Sequence, residues 1–91
     1  MGKKTVNFNR TGINKLPDDK PVFYRIQTGS GSDNYVGVAG KGNVRGRIAN
    51  HLDEIPGSKV VIETFHSKRE AEKKEANVIK RGQPPYNKKG K

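Results

Sequence analysis

The sequence comprises 91 residues, which is enough for one domain and too little for two. Only 30% of them are hydrophobic, against about 45 to 50% (glycine included) in an average soluble protein, so the core must be small. Nineteen lysines and arginines against nine acidic residues give a net charge of +10, which exceeds what solubility requires and favours nucleic acid as the partner.

The first 20 residues are polar and basic, and Gly12 and Pro17 interrupt them. We interpret residues 1–20 as a basic N-terminal arm that Ile13 and Leu16 anchor to the folded body. The body is expected to span residues 21–87, and residues 88–91 form a basic tail.

Three short apolar segments have the composition of β-strands: residues 22–26, 35–39 and 60–65. Glycine, serine, aspartate and asparagine fill residues 29–34 between the first two, which predicts a hairpin. We therefore expect an antiparallel sheet of three strands.

Two helices are predicted to alternate with these strands. Residues 44–55 carry Val44, Ile48, Leu52 and Ile55 at helical spacing, and Pro56 with Gly57 terminates this segment. Residues 67–70 form a capping-box pattern that opens a second helix, which extends to about Arg81. The expected order is β-β-α-β-α, an α+β domain with helices flanking the sheet.

Glu75 is out of place on the second helix. At 100° per residue it falls on the apolar side formed by Ala71, Val78 and Ile79. Burial of an unpaired carboxylate is costly, so such a residue is usually ion-paired, bound to a metal or functional. A salt bridge to one of the many basic residues is the plain structural alternative.

Arg47 and His51 lie one helical turn apart at the edge of the apolar stripe of the first helix, where they can line a cleft. An arginine can clamp a phosphate and a histidine can relay a proton, although a solvated helix face has the same pattern. Arg45 lies at the other edge of the stripe. Tyr24 and Tyr35 lie on neighbouring strands, and the pattern also fits ordinary strand packing.

Several short motifs follow one another in an order that resembles the GIY-YIG nuclease superfamily over residues 16–87. They are Val22-Phe23-Tyr24, Tyr35-Val36-Gly37, the Arg47/His51 pair, residues 70–80 with Glu75, and Pro85-Tyr86-Asn87. The last two are especially similar to the corresponding stretch of bacterial excision-repair nucleases. Val22 stands where the family has a glycine, and two residues are added in the loop at 40–43.

The resemblance implies an endonuclease that hydrolyses phosphodiester bonds with one metal ion. Glu75 would hold the ion, Mg²⁺ or Mn²⁺, and a single inward carboxylate agrees with a one-metal site. Arg47 would stabilise the charge on the phosphate, with Arg45 as the rival arginine; Arg47 is preferred because it pairs with His51. Asn87 would position the site.

The proton acceptor of this reaction is left open among three side chains. Tyr24 is expected to orient or deprotonate the attacking water, and Tyr35 and His51 to complete its hydrogen-bond network. The ordinary pKa of a tyrosine is near 10, so a basic role requires the ion and Arg47 to lower it.

Binding is expected to depend on phosphate contacts, with Lys41, Arg45, Lys80 and Lys88 as candidate residues and with DNA favoured over RNA. No recognition helix is visible, so low sequence specificity is expected. The alternatives are a non-catalytic binding module of the same fold and a nuclease subunit that a protein partner targets or activates. No apolar run approaches the roughly 18 residues of a membrane span, and no secretory signal is visible, so an intracellular protein without membrane contact is expected.

Overall fold

A computed structural model of the protein describes residues 3–82. Asn87, Lys88 and the predicted tail lie outside this range. The described chain contains strands β1 (Lys3–Asn7), β2 (Val22–Gln27), β3 (Asp33–Ala39) and β4 (Lys59–Thr64), and helices α1 (Arg10–Ile13), α2 (Val44–Ala49) and α3 (Lys68–Arg81).

The four strands form one antiparallel sheet in the order β1-β4-β2-β3, so the expectation of three strands is wrong. The additional strand and α1 come from residues 1–20, which the sequence predicted to be an arm. Within β1 only Val6 is even partly buried, so the strand has almost no hydrophobic pattern. Backbone hydrogen bonds to β4 hold β1 in the sheet, and these bonds do not depend on the side chains.

Helix α2 is shorter than the predicted segment 44–55 and ends at Ala49. Beyond Ala49 the backbone hydrogen bonds span three residues instead of four. The amide of His51 donates to the carbonyl of Ile48, and the amide of Leu52 donates to the carbonyl of Ala49. Helix propensity is low in this segment because it contains Gly46, Asn50 and Asp53. The predicted apolar stripe nevertheless packs inward.

Side chains from alternate strand positions pack on opposite faces of the sheet. On one face Val22, Tyr24 and Ile26 pack with residues of α1 and α2 in the larger core cluster, which includes Ile13 and Leu16. On the other face α3 covers Phe23, Val36 and Val38 through Ala71, Val78 and Ile79, as its predicted apolar stripe requires. Helices α2 and α3 therefore pack on opposite faces of the sheet.

None of the helices within residues 3–82 has the length and apolar composition needed to cross a lipid bilayer.

Candidate active site

Tyr24 is fully buried in the middle of β2, opposite Gly37 of β3. A Cβ atom added to Gly37 would lie 2.6 Å from the hydroxyl oxygen of Tyr24 and 2.7 Å from Cζ. Only glycine therefore lets the ring lie across the neighbouring strand at this point. The glycine of the Tyr35-Val36-Gly37 motif thus has a direct structural role, which is to make room for Tyr24.

Three rings meet on this face of the sheet. The Tyr24 hydroxyl lies 2.9 Å from Nε2 of His51, and the centroid of the Tyr35 ring is 4.6 Å from that of His51 and 6.2 Å from that of Tyr24. Tyr35 is half-buried, whereas Tyr24 is closed off from solvent. The structure thus brings together three of the residues that the sequence selected, and Tyr35 is the tyrosine that meets solvent.

Burial raises the pKa of Tyr24 well above its ordinary value of 10.0, and the neighbouring Tyr35 raises it further. The charge of Arg47 acts in the opposite direction without outweighing burial. The groups of the protein itself therefore keep Tyr24 neutral, as a hydrogen-bond donor.

Burial lowers the pKa of His51 below its ordinary value of 6.5, so the ring is neutral at neutral pH. Glu54 opposes this shift, but its carboxylate is exposed and Oε1 lies 3.5 Å from Nδ1, too far for a well-formed hydrogen bond. A tautomer with its proton on Nδ1 lets Nε2 accept a hydrogen bond from Tyr24. Within residues 3–82 the buried Nδ1 then has no hydrogen-bond partner, only this longer contact with Glu54.

Arg47 connects the two faces of the site. Its charge lowers the pKa of Tyr24 on β2, of His51 in the turn after α2 and of Glu75 on α3. An exposed guanidinium acts on all three groups only if it lies close to each of them. Arg47 therefore lies within electrostatic reach of groups on both faces of the sheet.

Arg45 is engaged elsewhere, since its Nε donates a hydrogen bond of 2.8 Å to the carbonyl of Leu16. The same loop holds the start of α2, where Asp18 Oδ1 accepts from the amide of Val44 at 2.7 Å. Asn43, at the N-cap position, makes no capping bond of its own. These contacts fix α2 against residues 16–18 and leave Arg47 as the arginine that faces the other site residues.

Glu75 is half-buried on α3. Burial raises its pKa, the carboxylate of Glu72 one turn earlier raises it further, and Arg47 lowers it. Among residues 3–82 no cation lies within ion-pairing distance of Glu75. The salt bridge that could have explained this residue is thus not formed there.

Glu75 is the carboxylate of this site that could hold a hydrated divalent cation. Such an ion would relieve both the desolvation of this carboxylate and its repulsion from Glu72. Residues 3–82 contain no cluster of three or more acidic, histidine or cysteine side chains suited to a metal. Protein ligation would therefore come from Glu75 alone or with Glu72, which suits an oxygen-ligated ion such as Mg²⁺ that retains most of its waters.

A cleft of about 370 Å³ adjoins Arg47 and includes residues that the sequence analysis did not select. Its polar lining comes from Asn43, Arg47, Asn50 and Lys68. Lys68 was interpreted only as the first residue of a helix, since no sequence motif marks it. The fold alone brings the start of α3 to α2.

The remaining predicted binding residues are scattered. Lys41 is exposed in the loop before α2, and Lys80 is exposed on the last turn of α3. Arg45 is exposed but holds the Leu16 carbonyl. Asn87 and Lys88 lie outside the described residues.

Comparison of the sequence with protein-family models and with curated proteins gave no match.

Proposed function

We propose that this protein is a metal-dependent endonuclease of the GIY-YIG type, which hydrolyses phosphodiester bonds in DNA with low sequence specificity. The observation that carries the proposal is the cluster of Tyr24, Tyr35 and His51, in which the Tyr24 hydroxyl lies 2.9 Å from Nε2 of His51. Arg47 lies close enough to lower the pKa of Tyr24, of His51 and of Glu75 on α3. A phosphate beside this arginine would have a carboxylate on one side and the phenol-imidazole cluster on the other. Phosphoryl transfer requires this combination of cation, carboxylate and hydrogen-bonding groups.

Arg47 has the electrostatic role. Its guanidinium can hold two phosphoryl oxygens and stabilise the negative charge that develops on them. Glu75 would hold one Mg²⁺ or Mn²⁺ ion, which when bound would neutralise the scissile phosphate and the leaving oxygen.

The two tyrosines have different roles in this proposal. Tyr24 is fully buried and its pKa is raised, both of which oppose direct proton abstraction from water. Tyr35 is half-exposed and packs against His51, so it is the phenol that contacts the attacking water. Tyr24 is a positioning residue that holds the imidazole through the 2.9 Å hydrogen bond to Nε2.

The test of the function is a nicking assay on supercoiled plasmid with Mg²⁺ or Mn²⁺. The wild type is expected to nick, Glu75→Gln to be inactive, and Glu70→Gln, an exposed glutamate at the start of the same helix, to match the wild type. Equal nicking by Glu75→Gln would overturn the proposal. Binding without nicking by any of the three would indicate a non-catalytic nucleic-acid-binding module.

The roles of the tyrosines can be separated by the same assay under single-turnover conditions. Tyr35→Phe is expected to lower the cleavage rate by about 10² to 10⁴, the range for loss of a proton-transfer group. Tyr24→Phe should lower it less and also lower the free energy of unfolding by about 1 kcal/mol, because a partly buried hydrogen bond is lost. A larger loss of rate in Tyr24→Phe than in Tyr35→Phe would indicate that Tyr24 contacts the attacking water.

A further inference from the structure

A second cationic groove lies at the edge of the sheet opposite to β3. It has a volume of about 440 Å³ and runs along β1 beside α1. Three lysines line it, Lys4 from β1, Lys15 from the segment after α1 and Lys59 from β4. None of its nine lining residues is acidic, so the groove combines positive charge with no internal compensation.

The walls of the groove are held in place by the chain itself. Asn9 Oδ1 accepts a hydrogen bond of 2.7 Å from the amide of Gly12, which closes the turn between β1 and α1. A Cβ atom on Gly12 would overlap the carbonyl oxygen of Asn7, so the strand and the helix approach as closely as glycine permits. Ile13 and Leu16 anchor the segment in the core. The lysines therefore project from a fixed scaffold and not from a free arm.

We propose that this groove binds the phosphodiester backbone of nucleic acid at a site separate from the candidate active site. Lysine amines and the amide and hydroxyl groups of Asn7, Asn9 and Thr11 are typical ligands of phosphate and sugar oxygens.

The chemistry of the groove favours nucleic acid over an anionic membrane. Val6 is the only aliphatic side chain among the lining residues, and it is half-buried, so no apolar surface is available for insertion into lipid. A linear polyanion can instead place successive phosphates against amines that come from different elements. This mode of binding does not require catalysis and holds whether or not the protein cleaves its ligand.

The position of the groove predicts its effect on a nuclease. Strand β4 separates β1 from β2, which carries Tyr24, and β3, which carries Tyr35, forms the opposite edge of the sheet. The groove therefore contacts nucleic acid at a distance from the phosphate that is cleaved. The groove should raise affinity and lower KM without a change in kcat.

The test compares Lys4→Ala/Lys15→Ala with Lys20→Ala/Lys73→Ala, a control pair of equally exposed lysines outside the groove that removes the same charge. Binding of the full chain to a fluorescent DNA duplex is measured with EDTA present, which separates affinity from cleavage. At about 0.1 M salt the groove variant should bind roughly tenfold or more weakly than the control. Its plot of log affinity against log salt should be shallower by about 0.9 for each lost phosphate contact.

The variant Lys4→Arg/Lys15→Arg keeps the charge and should retain binding, which distinguishes lost charge from a damaged fold. Thermal unfolding of all variants shows directly whether the fold is intact. Equal losses in the groove and control pairs would overturn the proposal, because general charge would then explain binding. Groove-dependent binding to phosphatidylserine vesicles but not to DNA would also overturn it and identify a lipid surface. Failure of the nicking assay leaves this binding test intact, so the two proposals can fail separately.

Discussion

The ring of Tyr24 lies directly over Gly37 of the neighbouring strand, closer than any side chain at position 37 would allow. Its hydroxyl, which is the atom nearest to that position, donates to Nε2 of His51 at 2.9 Å. The position of the histidine thus depends on a glycine one strand further along the sheet.

Gly37→Ala should move the Tyr24 ring and break its contact with His51. The expected loss of stability is about 1 to 3 kcal/mol, typical of overpacking in a core, and cleavage should fall at least as far as in Tyr24→Phe. Urea unfolding and the nicking assay measure the two effects. Gly46→Ala is the stability control, since no heavy atom lies within 4 Å of the added carbon and helix propensity predicts a gain of about 0.5 to 1 kcal/mol.

Substitutions of the two arginines of α2 should differ in their effects on cleavage and on stability. Arg47→Ala is expected to lower cleavage by about 10² to 10³ with little change in stability, since its side chain is exposed and acts on the phosphate. Arg45→Ala should instead cost about 1 kcal/mol of stability through its lost bond to Leu16 and leave the cleavage rate nearly unchanged. Rate constants with saturating plasmid and unfolding free energies provide the comparison. The opposite pattern would make Arg45 the catalytic arginine.

Glu75→Gln should slightly stabilise the protein at neutral pH in the absence of metal. Its raised pKa means that the folded state disfavours the charged carboxylate relative to the unfolded chain, so stability falls as the pH rises from 4.5 through the folded pKa. The gain should be about 0.5 kcal/mol or less, because the half-exposed group is screened by solvent.

Added Mg²⁺ should make the wild type more stable than Glu75→Gln. It is expected to raise the Tm of the wild type in a concentration-dependent way and to raise that of Glu75→Gln much less, since the substitution removes the charge of the principal ligand. Calorimetry with and without Mg²⁺ tests both statements. Equal metal-dependent shifts in the two proteins would exclude Glu75 as the metal ligand.

His51 should make folding sensitive to mild acid. Because its folded pKa lies below 6.5, the unfolded chain binds the proton more readily in the interval between the two values. The stability linked to this group is fully present above pH 6.5 and is lost as the pH falls toward the folded pKa. The difference in unfolding free energy between wild type and His51→Gln should therefore shrink over that interval. A constant difference would contradict the buried, neutral imidazole.

Ile13→Ala tests whether residues 3–16 are part of the domain. The side chain is 1% exposed in the larger core cluster, so its truncation should cost about 2 to 5 kcal/mol. Ile79→Ala, at a partly buried position on α3, should cost less. Urea denaturation of both variants gives the comparison, and a negligible loss at Ile13 would restore the interpretation of a loosely attached arm.

The sequence by itself determined the strands β2, β3 and β4 and the helix α3, because the strands are short apolar segments bounded by turn residues and the helix has an apolar stripe at helical spacing. It also selected Tyr24, Tyr35, Arg47, His51 and Glu75, which the fold places in mutual contact or electrostatic reach. Residues with unusual chemistry in an apolar pattern are visible without coordinates, since the pattern itself marks where burial will occur.

Only the tertiary structure decided the place of β1, the partner of Arg45 and the need for glycine at position 37. Strand β1 is held by backbone hydrogen bonds, which leave no mark in the side-chain pattern of an exposed edge strand. From the sequence, Arg47 is preferred over Arg45 only because it pairs with His51; the structure adds that Arg45 donates to the Leu16 carbonyl. Contacts of this kind join residues that are distant in the chain, so local periodicity carries no information about them.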